Sequence, residues 1–272
     1  MMDAQTPFSY QCNACGRCCH NQVITLSPYD VLRLARAAHL STTEAIARFT
    51  LRRGSLLRFE SVGGCAALDG SRCTLHLGRP LACRLYPLGL ESGPIADPGP
   101  HAFASKRSHR LERKGARVSF VRLEPAAGSA GVYGTASTVA NFLNSQNVAP
   151  YLSGVERYRS LIPLMRAQIA TLVDVDRIEP REFWRRAFHE AMRETDYDPN
   201  PLITAIFDTD AATGAELFDS EVELIDAHLH AIAGLIRKES NPASLASAAF
   251  LLAVSLGLAP AEVEMMPDQA LG

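Results

Sequence analysis

Beyond Cys83 the chain of 272 residues has no cysteine, and it lacks most motifs that announce a chemistry. There is no P-loop, no dinucleotide fingerprint and no Gly-x-Ser-x-Gly elbow. Nucleotide-binding and hydrolase readings therefore have no motif to stand on. The N-terminus has neither a basic region nor an apolar stretch behind it, so no secretory signal is expected. Internal repeats and low-complexity segments are absent. Charge of one sign is absent too: 27 basic against 29 acidic residues leave a net charge of −2, which selects no partner. The longest charge-free stretch, between Glu239 and Glu262, holds the apolar run Ala243–Leu258. Asn241-Pro242 reads as its cap and first residue, Gly257 and Pro260 as its stop. A helix of about 15 residues, roughly 22 Å long, falls short of a ~30 Å hydrocarbon core. It is predicted to be a buried helix, with no membrane contact.

What is present begins with seven cysteines in the first 83 residues: Cys12-x-x-Cys15-x-x-Cys18-Cys19, then Cys65, Cys73 and Cys83. The odd number argues against a closed disulfide framework, and free thiols without a secretory signal point to a reducing cytoplasm. Haem attachment fails on spacing, because Cys19-His20 would need a cysteine where Gly16 stands. Free cysteine is often simply buried, but repeated short spacing rarely arises from packing. Thiolates this close together suit a soft metal or an iron–sulfur cluster.

Spacing by two lets side chains at i and i+3 converge within one turn, whose backbone N–H groups can then donate to sulfur. Cys18 and Cys19 are neighbours whose side chains diverge. Either one ligates while the other supports it, or the two serve different metals. Cys65, Cys73 and Cys83 must fold back to complete a site, and Gly63-Gly64 and Asp69-Gly70 give the chain that freedom. Seven thiols exceed the four that one such centre needs. Some are bystanders, or the site is polynuclear. His20 and His76 are further candidates, although histidines near metals more often orient ligands or lie on the surface. Arg17, Arg72, Arg79 and Arg84 interleave with the thiols, and guanidiniums would offset the negative charge of a thiolate centre.

Charge divides the chain. Residues 1–150 carry 17 basic and 9 acidic residues, a balance of +8, and residues 151–272 carry 10 and 20, a balance of −10. The basic part offsets a thiolate cluster, attracts an anionic substrate, or packs on the acidic part. An organisational break is placed near Pro150. Before it, Ser27-Pro28-Tyr29-Asp30 opens a helix to about Leu40, and Ser41-Thr42-Thr43-Glu44 opens a second to Arg52 or Arg53. Leu56–Val62 and Arg117–Leu123 read as strands, and Ser92–Pro100 and Pro125–Gly134 as loops. The basic run Lys106–Arg117 has no interleaved aromatics and reads as a solvated loop or strand edge, against nucleic-acid binding. After the break, helices are expected over Val155–Val173, from Pro180 to about Glu194, from Pro201 to Phe207, and over Thr213–Lys238 with Leu217, Leu224, Ile225, Leu229, Ile232 and Leu235 buried. His228 and His230, two apart on a helix, do not share a face. They read as a solvated or partly buried pair, and Glu221, Glu223 and Asp226 as a solvated face.

The cysteine pattern resembles a known family. Cys12–Cys19 with Gly16 before Arg17-Cys18-Cys19 matches the CxxCxxCC signature. Cys65 to Cys73, then Arg79-Pro80-x-x-Cys83-Arg84-x-Tyr86-Pro87, is similar to its second half. This is the YkgJ-like cysteine-cluster family, described as a zinc- or iron-chelating domain. The resemblance covers roughly residues 8–90, and Leu75-His76-Leu77 departs from a tyrosine often found there. One branch resembles flagellin lysine N-methylases, which implies an iron–sulfur centre used with S-adenosylmethionine on a protein substrate. The Cys-x-x-x-Cys-x-x-Cys spacing of radical enzymes is absent here.

The sequence therefore predicts a mainly α protein with an α+β N-terminal part. An irregular cysteine-rich module over residues 1–150 binds metal ions, and a helical region covers 151–272. Candidate ligands are Cys12, Cys15, Cys18, Cys19, Cys65, Cys73 and Cys83, with Arg79 and Arg84 beside a cofactor. The centre is an iron–sulfur cluster or iron with redox or methyltransferase-like chemistry. The rivals are structural zinc in a protein-interaction module, and metal storage or delivery.

Overall fold

In the computed structural model, residues 2–60, 63–91, 119–123, 130–173, 186, 189, 200–214 and 218–257 are described. Ten helices and four two-stranded sheets are found among them. The protein is mostly helical, with its short sheets in the N-terminal part, as the sequence predicts.

The first helix, α1 (Pro28–Ala38), starts where its cap signals place it. Ser27 and Asp30 form a capping box and Pro28 takes the first position. Ser41 and Glu44 repeat the device for α2 (Thr42–Phe49). That helix stops at Phe49, before the expected Arg52, because Thr50–Leu51 (β2) turns to pair with Leu56–Leu57 (β3). The strand expected over Leu56–Val62 is accordingly only two residues long. Leu57 donates its N–H to Ile24, and the chain then turns, with Glu60 donating to Gly64 and Gly63 to Glu60. Gly63, at φ 86°, supplies the left-handed backbone this turn needs. Asp69-Gly70 forms the turn between β4 (Leu68–Asp69) and β5 (Arg72–Cys73).

A short helix, α3 (Leu81–Leu85), carries Cys83. Beyond it, β6 (Leu88–Glu91) pairs with β7 (Ser119–Arg122), inside the strand expected at 117–123. The loop expected over Pro125–Gly134 is partly strand: β1 (Pro7–Gln11) offers an edge, and β8 (Val132–Thr138) pairs with it antiparallel. The expected loop at 92–100 and the basic run at 106–117 lie outside the described residues.

Pro150 stands in the first turn of α5 (Ala149–Arg159), after α4 (Val139–Ser145). The single helix expected over Val155–Val173 is two, α5 and α6 (Leu161–Leu172), joined at Ser160. Pro163 explains the break, since it has no N–H for the Arg159 carbonyl and its ring blocks a continuous helix. The helix expected from Pro180 lies outside the described residues, apart from the helical Arg186 and His189. α7 (Pro201–Phe207) spans the expected range. The long helix expected over Thr213–Lys238 is also interrupted: α8 (Thr209–Thr213) closes at Gly214, and α9 (Glu221–Lys238) has its own capping box of Ser220 and Glu223. Leu224, Ile225 and Ile232 are buried and Leu229 is partly buried. Leu235 is 43% exposed, against expectation, and Leu217 lies outside the described residues. The apolar α10 (Pro242–Ser255) is capped by Asn241 and largely buried. No helix among the described residues is long and apolar enough to cross a membrane.

One buried cluster joins the cysteine-bearing part to the later helices, running from Leu26, Val31 and Leu32 through Tyr151, Tyr158 and Met165 to Ile203, Ile232 and Leu245. Glu221, expected on a solvated face, instead accepts from Tyr29 Oη at 2.6 Å and pairs with Arg33 at 2.7 Å. Asp208 accepts from Thr42 at 2.6 Å and Thr43 at 2.7 Å, tying α8 to the start of α2. His228 is not solvated either. It is fully buried, donating Nε2–H to the Ala205 carbonyl at 2.8 Å and accepting from Tyr158 Oη at 2.7 Å. Its partner in sequence, His230, is exposed.

Gly78 has no room for a side chain: a Cβ there would lie 2.2 Å from the Arg33 carbonyl of α1. Gly78→Ala is expected to lower stability by about 1–3 kcal/mol through overpacking, read in thermal or denaturant unfolding. Burial lowers the pKa of His228 to about 4, from 6.5. The unfolded chain therefore binds more protons between those values. Stability from this group is complete above pH 6.5 and lost as pH falls towards 4. His228→Gln is expected to flatten that part of the curve of unfolding free energy against pH, relative to the wild type.

Candidate metal centre

The seven cysteines are carried by the loop after β1, the turn that follows it, the β4–β5 hairpin with the segment before it, and α3. Gln11 ends β1, and the loop after it carries Cys12 and Cys15. Asn13 Nδ2 ties that loop to the Ala130 carbonyl at 2.6 Å, and Ala130 N–H donates to Cys15 Sγ at 3.5 Å. Pairing of β1 with β8 thus sets Cys15 against a residue 115 positions away. Gly16 (φ 72°) leads into a 3-10 turn at Arg17–Cys19, closed by Cys19 N–H to Gly16 at 2.9 Å.

The second group folds back as its position requires. Asn21 N–H donates to Gly63, and Cys65 N–H donates to the Cys19 carbonyl at 2.9 Å. Cys65 Sγ accepts from Ala67 N–H at 3.4 Å, as Cys12 Sγ does from Ala14. The Ala67 amide favours the thiolate form of Cys65, against its burial. Cys73 ends the β4–β5 hairpin and Cys83 lies in α3. α3 is held by Asp30, which is fully buried. One of its carboxylate oxygens accepts from Ser27 N–H at 2.8 Å and the other from Leu81 N–H at 2.7 Å. Asp30 therefore caps α1 and α3 together.

Electrostatics define who faces whom. Cys18 and Cys19 Sγ are 4.0 Å apart. The hydrogen bond from Cys19 is the main reason the Cys18 thiol falls to about 6, with Arg79 and His20 adding to it. The same bond pushes Cys19 up, helped by burial and by the negative charges of Cys18, Cys83 and Cys65. Burial raises Cys83 first, and Cys65, Cys73 and Cys18 raise it further. Burial likewise dominates the upward shifts of Cys65 and Cys73. Cys18, Cys19, Cys65, Cys73 and Cys83 thus form one mutually repelling group, and Cys12 joins it through Arg79. Among the described residues, no three His, Cys, Asp or Glu side chains are gathered closely enough to grip an ion. None of the seven cysteines is in a disulfide. The donor set nevertheless fits zinc or iron, which take sulfur from several thiolates.

Histidines and arginines surround the group. His20 Nδ1–H donates to the Gly16 carbonyl at 2.9 Å, the tautomer that leaves Nε2 with a lone pair. His76 Nε2 accepts from Arg79 at 3.1 Å, which occupies the nitrogen a metal would use. Arg84 is 6% exposed and lies over the Tyr151 ring, 4.5 Å from its centre. Its guanidinium donates to the carbonyls of Arg79 (3.0 Å), Gln146 (2.7 Å) and Leu77 (2.5 Å). Arg84 therefore fastens the Cys83 helix to the α4–α5 connection and has few donors left for a cofactor. Arg17 and Arg72 are exposed. Sequence reasoning missed Gln146 and Tyr151, which carry no local signal, and saw Asp30 only as a cap of α1.

These loops form a cysteine-rich segment with the donor set of a zinc- or iron-chelating domain. Residues 11–106, about a third of the chain, match the model of the CxxCxxCC family, whose description is "Putative zinc- or iron-chelating domain"; that segment is a CxxCxxCC domain. No curated protein and no solved structure matches the chain.

Arg84→Gln is expected to lower unfolding free energy by at least about 2 kcal/mol, since hydrogen bonds from a charged donor contribute about 1.5–3 kcal/mol each. Denaturant titration of both proteins measures the difference.

Proposed function

We propose that residues 1–150 form a metal-binding module in which all seven cysteines ligate an iron or iron–sulfur centre, and that residues 151–272 form the helical support on which it is built. The observation that carries this reading is the approach of five cysteines from four separated points of the chain. Cys18, Cys19, Cys65, Cys73 and Cys83 face one another although their burial raises the mutual repulsion of their ionised forms. A cation between them removes that repulsion. Five cysteines lie within reach of one another's charge, and that number suits a cluster or a polynuclear centre better than one tetrahedral ion. The charges of Arg79 and Arg84 favour an anionic thiolate centre at the same place. Redox or group-transfer chemistry, including methyl transfer from S-adenosylmethionine to a protein lysine, is the use this reading assigns to it, in the cytoplasm.

A second reading is structural zinc in a protein-interaction module. It is favoured by the strands β2 to β5, each two residues long, which are too short to hold the loops without a metal.

Protein purified without air is expected to be brown, with iron and acid-labile sulfide. A colourless protein with stoichiometric zinc sinks the iron reading and supports the second. Serine at Cys65, Cys73 or Cys83 is expected to cost more bound metal than serine at Cys12 or Cys15. Full metal content in Cys83→Ser overturns the ligand assignment. Because thiols must lose protons to bind, affinity is expected to rise with pH through the neutral range.

A further inference from the structure

Arg79 has a donor that the protein leaves over. Nη1 donates to His76 Nε2 at 3.1 Å and Nη2 to Gln146 Oε1. Nε–H is buried and has no partner among the described residues. A buried cationic donor left without an acceptor is destabilising and rare in folded proteins, and it calls for an acceptor. The groups that face this guanidinium are Cys83, Cys12 and Cys73, with Cys18 close by. The strongest of the other charges acting on it is the like charge of Arg84, and no carboxylate of the described residues is among these main influences. The cysteines whose charge reaches this guanidinium are the acceptors at hand once metal binding draws their sulfurs in.

We propose that Arg79 Nε–H donates to a sulfur of the metal-bound cysteine centre, with His76 and Gln146 acting as brackets that aim it. This rests on the chelating reading above. The guanidinium is planar, so fixing both Nη groups fixes the direction of Nε–H. A neutral thiol is a weak acceptor and a metal thiolate a strong one, so the donor is satisfied only when metal is bound. Gln146 lies between α4 and α5. The connection between α4 and α5 thereby takes hold of the metal centre through one side chain. Arg79 is a positioning residue in this arrangement. It withdraws electron density from sulfur and holds the metal in its loaded state.

The full-length protein loaded with cobalt(II) supplies the test, through its sulfur-to-cobalt charge-transfer band and the rate at which a chromophoric chelator removes the ion. Arg79→Gln is expected to move the band to lower energy, because the sulfur it no longer caps is a stronger electron donor, and to weaken retention about 10–100-fold. Arg79→Lys keeps the charge but loses the aimed donor, so it is expected to show the band shift as well. Gln146→Ala, which leaves Arg79 in place, is expected to shift the band the same way by less. Circular dichroism reports whether each variant keeps its helices. Where Arg79→Gln does not fold, Gln146→Ala decides. An unchanged band and release rate in the folded variants overturn the proposal, and full rescue by Arg79→Lys reduces it to charge alone. A wild type that takes up no cobalt with a thiolate band overturns the chelating reading itself, and this inference with it.

Discussion

The carboxylate of Asp30 is the constraint on which the metal end of this protein depends. It sits fully buried at the head of α1 and accepts from Ser27 on one side and from Leu81 on the other. A buried carboxylate is tolerated only when its oxygens are satisfied. Here the donors come from two helix starts, and Leu81 lies 51 residues from the carboxylate that it serves. Cys83 and Arg84 follow within three residues of Leu81. Their placement is inherited from Asp30, and through α1 from the main hydrophobic cluster.

Around that anchor the cysteine module has little regular structure of its own. Its strands are mostly two residues long, and its turns are closed by single hydrogen bonds such as Cys65 to Cys19. What steadies it lies around the cysteine loops: the β1–β8 ladder behind Cys12 and Cys15, Gly78 pressed on α1, and Arg84 stacked on Tyr151 while it gathers three carbonyls. Chelating loops are thus mounted on a helical scaffold. The opposite charges of the two parts are used in that mounting, in the pair Arg33–Glu221. Hydroxyls of α2 do similar work when they donate to Asp208.

Local signals with a short-range cause were legible. Ser27-Pro28-x-Asp30, Ser41-x-x-Glu44, Asn200-Pro201 and Asn241-Pro242 each start a helix where they stand, because a cap needs only its own neighbours. The cysteine spacing marked the metal end for the same reason. Errors arose where a distant partner or an overlooked breaker decided the outcome. Pro163 splits a run whose apolar periodicity continues across it. Ser220 and Glu223 start a helix inside what periodicity joins into one. Val132–Gly134 read as loop because the strand they pair with lies at the far end of the module. His228 read as solvated or partly buried from its own helix, and its contacts with Tyr158 and Ala205 show it fully buried.

Sequence alone determined that this is a mainly helical protein whose chemistry lies in an N-terminal set of thiols of the zinc- or iron-chelating kind. Cap residues and sulfur ligands act over a few residues or through element-specific affinity, so their meaning survives without coordinates. The tertiary structure decided which thiols face one another. It also showed that Arg84 is consumed by carbonyls while Arg79 keeps a donor, and that Gln146 and Asp30 serve the site at all. Those facts depend on which buried polar groups find partners across the fold, and no stretch of sequence carries that information by itself.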